Sequence, residues 1–333
     1  MLAVAHRLIL VGAVIAAGTI GLLAAQAQTK QKLTIGLNWS PTGEFGALFL
    51  AKNKGWFGEA GLDVDLQDGK GSPPALQLVV AGHNDVTEAH LGAMAAGISN
   101  GMPLISIACS ICASDYGLLV PADSGWRRLQ ELKGKRIVVA ATGGVSVFFE
   151  PYVKASGMQI SDFQVIKVDS NAIISTYVTG QADAAFSALA FILPLVEKVR
   201  KSIGFDMAES GLTVPGYGLV VRKDMVETKA DTLRKLIAVN QRAWKYIGDG
   251  HVDEAVDAIL SERAGLRLDR ELTKGQLVEY LRYTATPATK GKPIGWQAES
   301  DWVNGLESMR RVGMVNGTLK PEDVYTNKLL PAQ

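Results

Sequence analysis

The strongest constraint on the fold is a unit that recurs from residue 33 onward: a short apolar strand, then a loop, then a helix. "LTIGL" (Leu33 to Leu37) is a β-branched and apolar run, and in the following "EFGALFLAKNKGWF" the apolar residues recur at helical spacing. "LDVDLQ" (Leu62 to Gln67) leads through "DGKGS" to "PPALQLVVAG", where proline suits a first helical turn. "NDVTEAH" leads to "LGAMAAGISNG", and "PLISIA" follows. Alternation at this length predicts a largely parallel sheet with helices on both faces. In such sheets ligands lie beyond the carboxyl ends of the strands, which makes the loop carrying Trp39, Ser40, Thr42 and Glu44 a candidate site wall.

A second series begins at "LKGKRIVVA", with a strand from Ile137 to Ala140, and runs through "ATGGVS" into "VFFEPYVKASG". Strand "FQVIKV", loop "DSNA", helix "IISTYVTG", strand "DAAFSA" and helix "LAFILPLVEKVR" complete it. Two near echoes flank this series: "DYGLLVPAD" at 115–123 and "GYGLVVRKD" at 216–224, each a short apolar strand led by Tyr-Gly. One enters the second series and the other leaves it, so together they predict a two-strand hinge. The remaining chain is helical by period, as in "ADTLRKLIAVNQRAWKYIGDG", and must return to the first lobe. A chain of 333 residues exceeds one ordinary core. The expected division is lobe 1 over 32–117 plus 218–333 and lobe 2 over 118–217.

Residues 1–27 read as a secretory signal. "MLAVAHR" carries one arginine and no acid, "LILVGAVIAAGTIGLLA" is uncharged and apolar, and "AQA" places small residues before an expected cleavage after Ala27. A retained anchor is the alternative, because the apolar run approaches bilayer length. No cysteine follows that run, so attachment through a lipidated N-terminal cysteine is not expected, and the expected location is the periplasm. Over the whole chain 34 basic residues face 33 acidic ones. Without a basic run, nothing marks a nucleic-acid or anionic-membrane partner.

Two cysteines, Cys109 and Cys112, stand in "ACSICASDYG". A redox C-x-x-C pair needs its first cysteine exposed at a helix N-terminus. Here the flanks read as strand, where positions three apart face opposite sides, so two buried structural thiols are expected.

The order W-x-P, "LFLAKNKGWFGEAGLDVDL", a glycine loop, "LVVAGHNDV", "GMPLISIA", "LKGKRIVV" and "VTGQADAAF" resembles the periplasmic substrate-binding proteins of ABC importers. The branch it resembles is the one related to nitrate, sulfonate, taurine and thiamin-pyrimidine binding proteins. The resemblance covers residues 32–333. It implies an α/β, two-lobed periplasmic binding fold of type 2, each lobe a mixed, mainly parallel sheet flanked by helices, joined by two hinge strands. It further implies a monomer that closes on a small molecule and delivers it to the permease and ATPase subunits of an importer, with no cofactor. In pyrimidine-binding relatives a tryptophan at the place of Trp39 stacks on the ligand ring and a histidine follows; here Glu44 and Phe45 stand in that region.

Candidate ligand-binding residues on the strand-end loops are Trp39, Thr42, Glu44, Phe45, Ser72, Glu88, Asp115, Thr142, Ser146, Asn171, Ser187 and Tyr217, with His90 nearby. They include three acids and no arginine, and Lys70 is the only cation close by in sequence. A sulfonate or phosphate site would use arginine forks or a helix N-terminus, which "ATGGVS" with Gly143 and Gly144 could supply. Glu44, Glu88 and Asp115 would instead accept hydrogen bonds from amino or ring N–H groups, with Trp39 stacking on a flat heterocycle. The expected ligand is an amino-bearing or aromatic heterocycle such as a pyrimidine; a small anion (sulfonate, nitrate or aromatic carboxylate) is the alternative.

A metal site is not expected, because "HNDVTEAH" from His83 to His90 is not H-E-x-x-H. Nor is catalysis: G-x-S-x-G is absent, and after residue 27 only His83, His90 and His251 remain for a triad. A eukaryotic branch of the same superfamily performs pyrimidine synthesis, but its cysteine-rich iron motif is absent. A sensor module would need a fused signalling segment. N-terminal sequencing of secreted protein should find Gln28 first; recovery of an intact 1–27 segment in membranes would overturn the signal reading.

Overall fold

The computed structural model describes residues 30–331 apart from Gly143, so the expected leader lies outside the described residues. Among the described residues, ten strands form two five-stranded sheets. The first contains β1 (Gln31–Gly36), β2 (Leu62–Gln67), β3 (Val86–His90), β4 (Leu104–Ala113) and β10 (Pro215–Arg222), in the order β2-β1-β3-β10-β4. The second contains β5 (Tyr116–Pro121), β6 (Arg136–Ala140), β7 (Gln164–Val168), β8 (Ala184–Ala188) and β9 (Ser202–Asp206), in the order β7-β6-β8-β5-β9. In each, four strands run parallel and one is inserted antiparallel to both its neighbours. The fold is α/β, two mixed sheets flanked by helices.

The two inserted strands are the echoed segments, and they are exchanged. β5 follows β4 directly in sequence but pairs with β8 and β9 in the second sheet; β10 follows β9 but pairs with β3 and β4 in the first. The chain therefore crosses at 114–115 and again at 207–214, and the boundaries expected at 118 and 217 fall inside β5 and β10. Close packing explains the Tyr-Gly repeat. A Cβ on Gly117 would lie 2.3 Å from the Phe205 carbonyl oxygen, and one on Gly218 would lie 2.3 Å from that of Ala108. Each inserted strand needs a glycine where a neighbouring backbone presses against it.

Helices cover both sheets because their apolar faces match the strands beneath. β2 alternates cleanly, with Leu62, Val64 and Leu66 buried and the intervening residues exposed, as an edge strand with one covered face should. β3 is buried at every position, as a central strand must be. Helices Ala230–Gly248 and Val252–Glu262 pack on helix Gly46–Asn53 of the first lobe. Helix Arg270–Leu281 also reaches helix Leu189–Val196 of the second lobe, where Gln276 Nε2 donates to Phe191 O at 3.2 Å. Helix Glu299–Val312 similarly touches helix Phe149–Ala155. The C-terminal helices thus brace both lobes rather than one.

Two features depart from the sequence expectation. β9 has no counterpart there: "SIGFD" is short and interrupted by Gly204, which lies against Leu189. Cys109 and Cys112 are joined in a disulfide, not left as separate thiols. The register of β4 against β10 slips between Tyr217 and Gly218, so Ile111 and Cys109 face consecutive partners and Ser110 is extra. This bulge breaks the strict alternation that would have put the two cysteines on opposite faces. Their Cα atoms lie 5.3 Å apart.

The close approach at β10 can be measured. Gly218→Val should destabilise the protein by about 3 kcal/mol or more in urea unfolding, since the neighbouring backbone cannot yield. Gly248→Ala, at a helix end with open space around it, should leave stability nearly unchanged. Equal effects for the two would show that the Tyr-Gly repeat has no packing cause.

Candidate functional site

Between the two sheets, at the carboxyl ends of their parallel strands, lies a cleft of about 210 Å³. From the first lobe it is lined by Asn38, Trp39, Thr42 and Glu44 after β1, and by Gly71 and Ser72 after β2. The second lobe adds Thr142, Gly144 and Val145 after β6, Ser170 and Asn171 after β7, and Ser187 and Ala188 at the end of β8. Apolar and aromatic groups complete the walls: Ile173, Ile174, Phe186 and Phe191, with Tyr116 and Tyr217 leading the two exchanged strands and Tyr280 entering from helix Arg270–Leu281. Gly71 packs beside Gly144, so the two lobes touch at the mouth.

Local backbone chemistry sets the β1 loop. Thr42 caps the short 3₁₀ turn Gly43–Phe45, its hydroxyl accepting from the Glu44 N–H at 3.3 Å, and this holds Glu44 inward. Asn38 O accepts from Gly71 N at 2.5 Å, and Trp39 O from Gly69 N at 3.2 Å, which ties the loop after β1 to the loop after β2.

Of the residues singled out from sequence, Trp39, Thr42, Glu44, Ser72, Thr142, Asn171, Ser187 and Tyr217 line the cleft. Phe45 does not: it follows Glu44 in the turn and is fully buried in the core. Glu88 and Asp115 lie behind the wall, 1% and 0% exposed, because strand β3 and the crossing at 114–115 pass beneath it. Ser146 sits half-buried on the 3₁₀ turn Ser146–Phe148, outside the lining. Tyr116 and Tyr280 were missed. Tyr116 was recoverable, since the Tyr-Gly echo pairs it with Tyr217; "VEYLRY" around Tyr280 carries no local signal.

The floor is a buried polar cluster. Asn38 Nδ2 donates to Glu44 Oε1 at 2.5 Å, and the Tyr280 hydroxyl donates to Oε2 at 3.4 Å. Burial first, and then the nearby carboxyl of Glu88, holds Glu44 well above the usual carboxyl range. Burial pushes Glu88 up to about 7, against the lowering effect of the Ser110 hydroxyl. Ser110, the bulge residue, in turn accepts from Asn240 Nδ2 at 3.2 Å.

Asp115 is likewise raised to about 7 by burial. Its carboxyl accepts from the Ala190 N–H at 3.1 Å and the Tyr217 hydroxyl at 3.3 Å, and its carbonyl oxygen from the Leu189 N–H at 2.8 Å. Burial lowers His90 to about 3, so its ring is neutral. Its Nδ1 accepts from Gly92 N at 3.2 Å, Nε2 faces Ser114 Oγ at 3.1 Å, and the ring stacks on Tyr116 at 4.2 Å. Among the described residues that line the cleft there is no lysine, arginine or histidine.

The sequence profile of the NMT1/THI5-like family matches residues 42–250. The chain belongs to that family. It is 24% identical over 290 residues to a Brucella abortus protein provisionally named as a binding protein, covering 83% of this chain and 84% of that one. It is 29% identical over 154 residues to a 4-amino-5-hydroxymethyl-2-methylpyrimidine phosphate synthase of Saccharomyces cerevisiae, covering 46% and 45% of the two chains. Among solved structures it superposes on the periplasmic aliphatic sulphonate-binding protein of Escherichia coli with a TM-score of 0.67 at 12% identity, over 91% of this chain and 94% of that one. This member of the family therefore has the periplasmic binding protein fold. No helix among its described residues is long and apolar enough to cross a membrane.

The raised carboxyls give a signature of the ligand-free protein. The folded chain keeps protons on Glu88 and Asp115 up to pH 7, whereas the unfolded chain releases them near pH 4, so these groups cost stability as pH rises between those values. His90 acts in the opposite sense below about pH 6.5, where the unfolded imidazole takes a proton that the folded one refuses. Comparison with Glu88→Gln removes that background. The stability advantage of Glu88→Gln over wild type should grow from pH 5 to pH 8, by up to roughly 1.4 kcal/mol per unit below pH 7. A difference that shrinks with pH in urea titrations would mean the Glu88 proton is not held.

Proposed function

We propose that this protein is the solute-binding component of an ABC-type importer, working as a monomer in the periplasm. It closes on a small planar, amino-bearing heterocycle of the pyrimidine kind and hands it to a membrane permease coupled to an ATPase. The observation that carries this reading is Glu44, the one acid among the described lining residues of a cleft that carries six aromatic residues and no basic side chain among them. Its carboxyl faces the cleft from a capped turn, oriented by Asn38 and Tyr280, so an amino or ring N–H of a ligand has an acceptor waiting. Trp39, half-buried beside it, offers a face for stacking. Thr142, Asn171 and Ser187 supply hydrogen-bonding groups from the opposite lobe.

Two strand-derived crossings make lobe closure the natural motion, with bending at 114–115 and 207–214. The yeast relative's name contains an aminopyrimidine, which agrees with this ligand class. A second reading, a small anion, draws support from the sulphonate named for the Escherichia coli neighbour and from the Gly144–Val145 turn at the cleft wall. An enzyme on the same fold is the third, because the yeast relative is named a synthase. The Brucella abortus relative, aligned over 84% of its length against 45% for the yeast one, is named a binding protein, which supports binding.

Calorimetric titration decides among these. Trp39→Ala should weaken binding of an aminopyrimidine by about tenfold or more while circular dichroism stays unchanged. Glu44→Gln should weaken amino-bearing ligands and spare sulfonates. If Trp39→Ala binds as wild type, or if Glu44→Gln tightens a sulfonate while aminopyrimidines fail to bind either protein, the heterocycle reading is wrong.

A further inference from the structure

Glu44, Glu88 and Asp115 form one buried cluster, 4%, 1% and 0% exposed. Glu44 feels the charges of both of the others. No lysine or arginine is buried anywhere among the described residues, and none of the ion pairs among them involves these three carboxyls. His90 beside them is committed to the neutral form by the Gly92 N–H that donates to its Nδ1. The remaining titratable groups facing Glu44 are the phenols of Tyr116, Tyr217 and Tyr280, and none of them brings positive charge. Buried carboxyls in folded proteins are normally matched by a cation or a metal. Here the protein supplies neither within the described residues. Glu88 Oε1 adds to the imbalance, because it is buried with no hydrogen-bond partner among them.

We infer that the ligand itself brings the missing charge: the planar group that meets Glu44 is cationic, an amidinium or a protonated amino-heterocycle. The inference rests on the reading of the cleft as a site for amino-bearing heterocycles and specifies their charge. Glu44 alone of the three reaches the lining, and each of its two oxygens is fixed by a hydrogen bond, one from Asn38 and one from Tyr280. A carboxylate so fixed matches two parallel N–H donors. The walls suit the same class, since Trp39, Tyr116, Tyr217 and Tyr280 surround the position with ring faces and edges, and an aromatic face attracts a cation. Charge balances simply: burial strengthens the hold of Glu44 on its proton in the free protein, and the proton it holds leaves to solvent as the cation docks, so one positive charge replaces another.

Three planar probes of similar size test this: benzamidinium, benzamide and benzenesulfonate, titrated calorimetrically at pH 7 in phosphate and in Tris, whose different ionisation heats report protons released. Benzamidinium should bind at least about tenfold more tightly than benzamide, with proton release on binding, and Glu44→Gln should abolish both the preference and the release. Tyr280→Phe, which keeps the ring, should reduce the preference less. If benzamide and neutral 4-aminopyrimidine bind as tightly as benzamidinium, the charge inference fails while the heterocycle reading stands. If benzenesulfonate alone binds, both fail. Absence of binding by benzamidinium at millimolar concentration also overturns the inference.

Discussion

Asp115 occupies the first crossing between the lobes, and both lobes are organised through it. Its carboxyl and carbonyl oxygens take the first two N–H groups of helix Leu189–Val196, which fixes the second lobe, while the same carboxyl takes the Tyr217 hydroxyl from the first. A buried carboxyl is costly, yet here each oxygen has a partner, and losing one of them would leave a desolvated group unpaired. With the crossing pinned, β5 and β10 can be exchanged between sheets, and the exchange brings Tyr116 and Tyr217 to the cleft from opposite sides with ring centroids 6.0 Å apart.

The acidic floor is the price of that arrangement. Glu44, Glu88 and Asp115 all hold their protons more tightly than ordinary carboxyls do, because burial outweighs the hydrogen bonds that would favour their charged forms. Perturbed carboxyls beside a cleft are a physical mark of a candidate site. The disulfide between Cys109 and Cys112 spans the bulge at Ser110, and Ser110 is what reaches toward Glu88 and Asn240, so the covalent link and the polar floor belong to one local construction.

The C-terminal helices give the cleft its back wall. Helix Arg270–Leu281 lies against the Gly43–Phe45 turn on one side and helix Leu189–Val196 on the other, and places Tyr280 on Glu44. Tyr283 OH donates to Asp206 Oδ1 at 3.3 Å across the second crossing. These contacts bridge the lobes in addition to the chain crossings themselves, so any opening must break or slide them.

The sequence by itself determined the elements and their alternation. β2 was legible to the residue, because Leu62, Val64 and Leu66 alternate with acids and a glutamine, and the β1 loop was legible as a cleft wall because Trp39 and Glu44 are odd residues to follow an apolar strand. Local periodicity reports which face of a segment is buried, and that information is complete within a few residues. Tertiary structure alone decided the exchange of β5 and β10, the bulge that joins Cys109 to Cys112, and the burial of Glu88 and Asp115 behind rather than in the cleft wall. Each of these depends on which strand lies beside which and in what register. No local pattern carries that information, because it is fixed by partners distant in the chain, as Gly218 is by Ala108 and Glu44 by Tyr280.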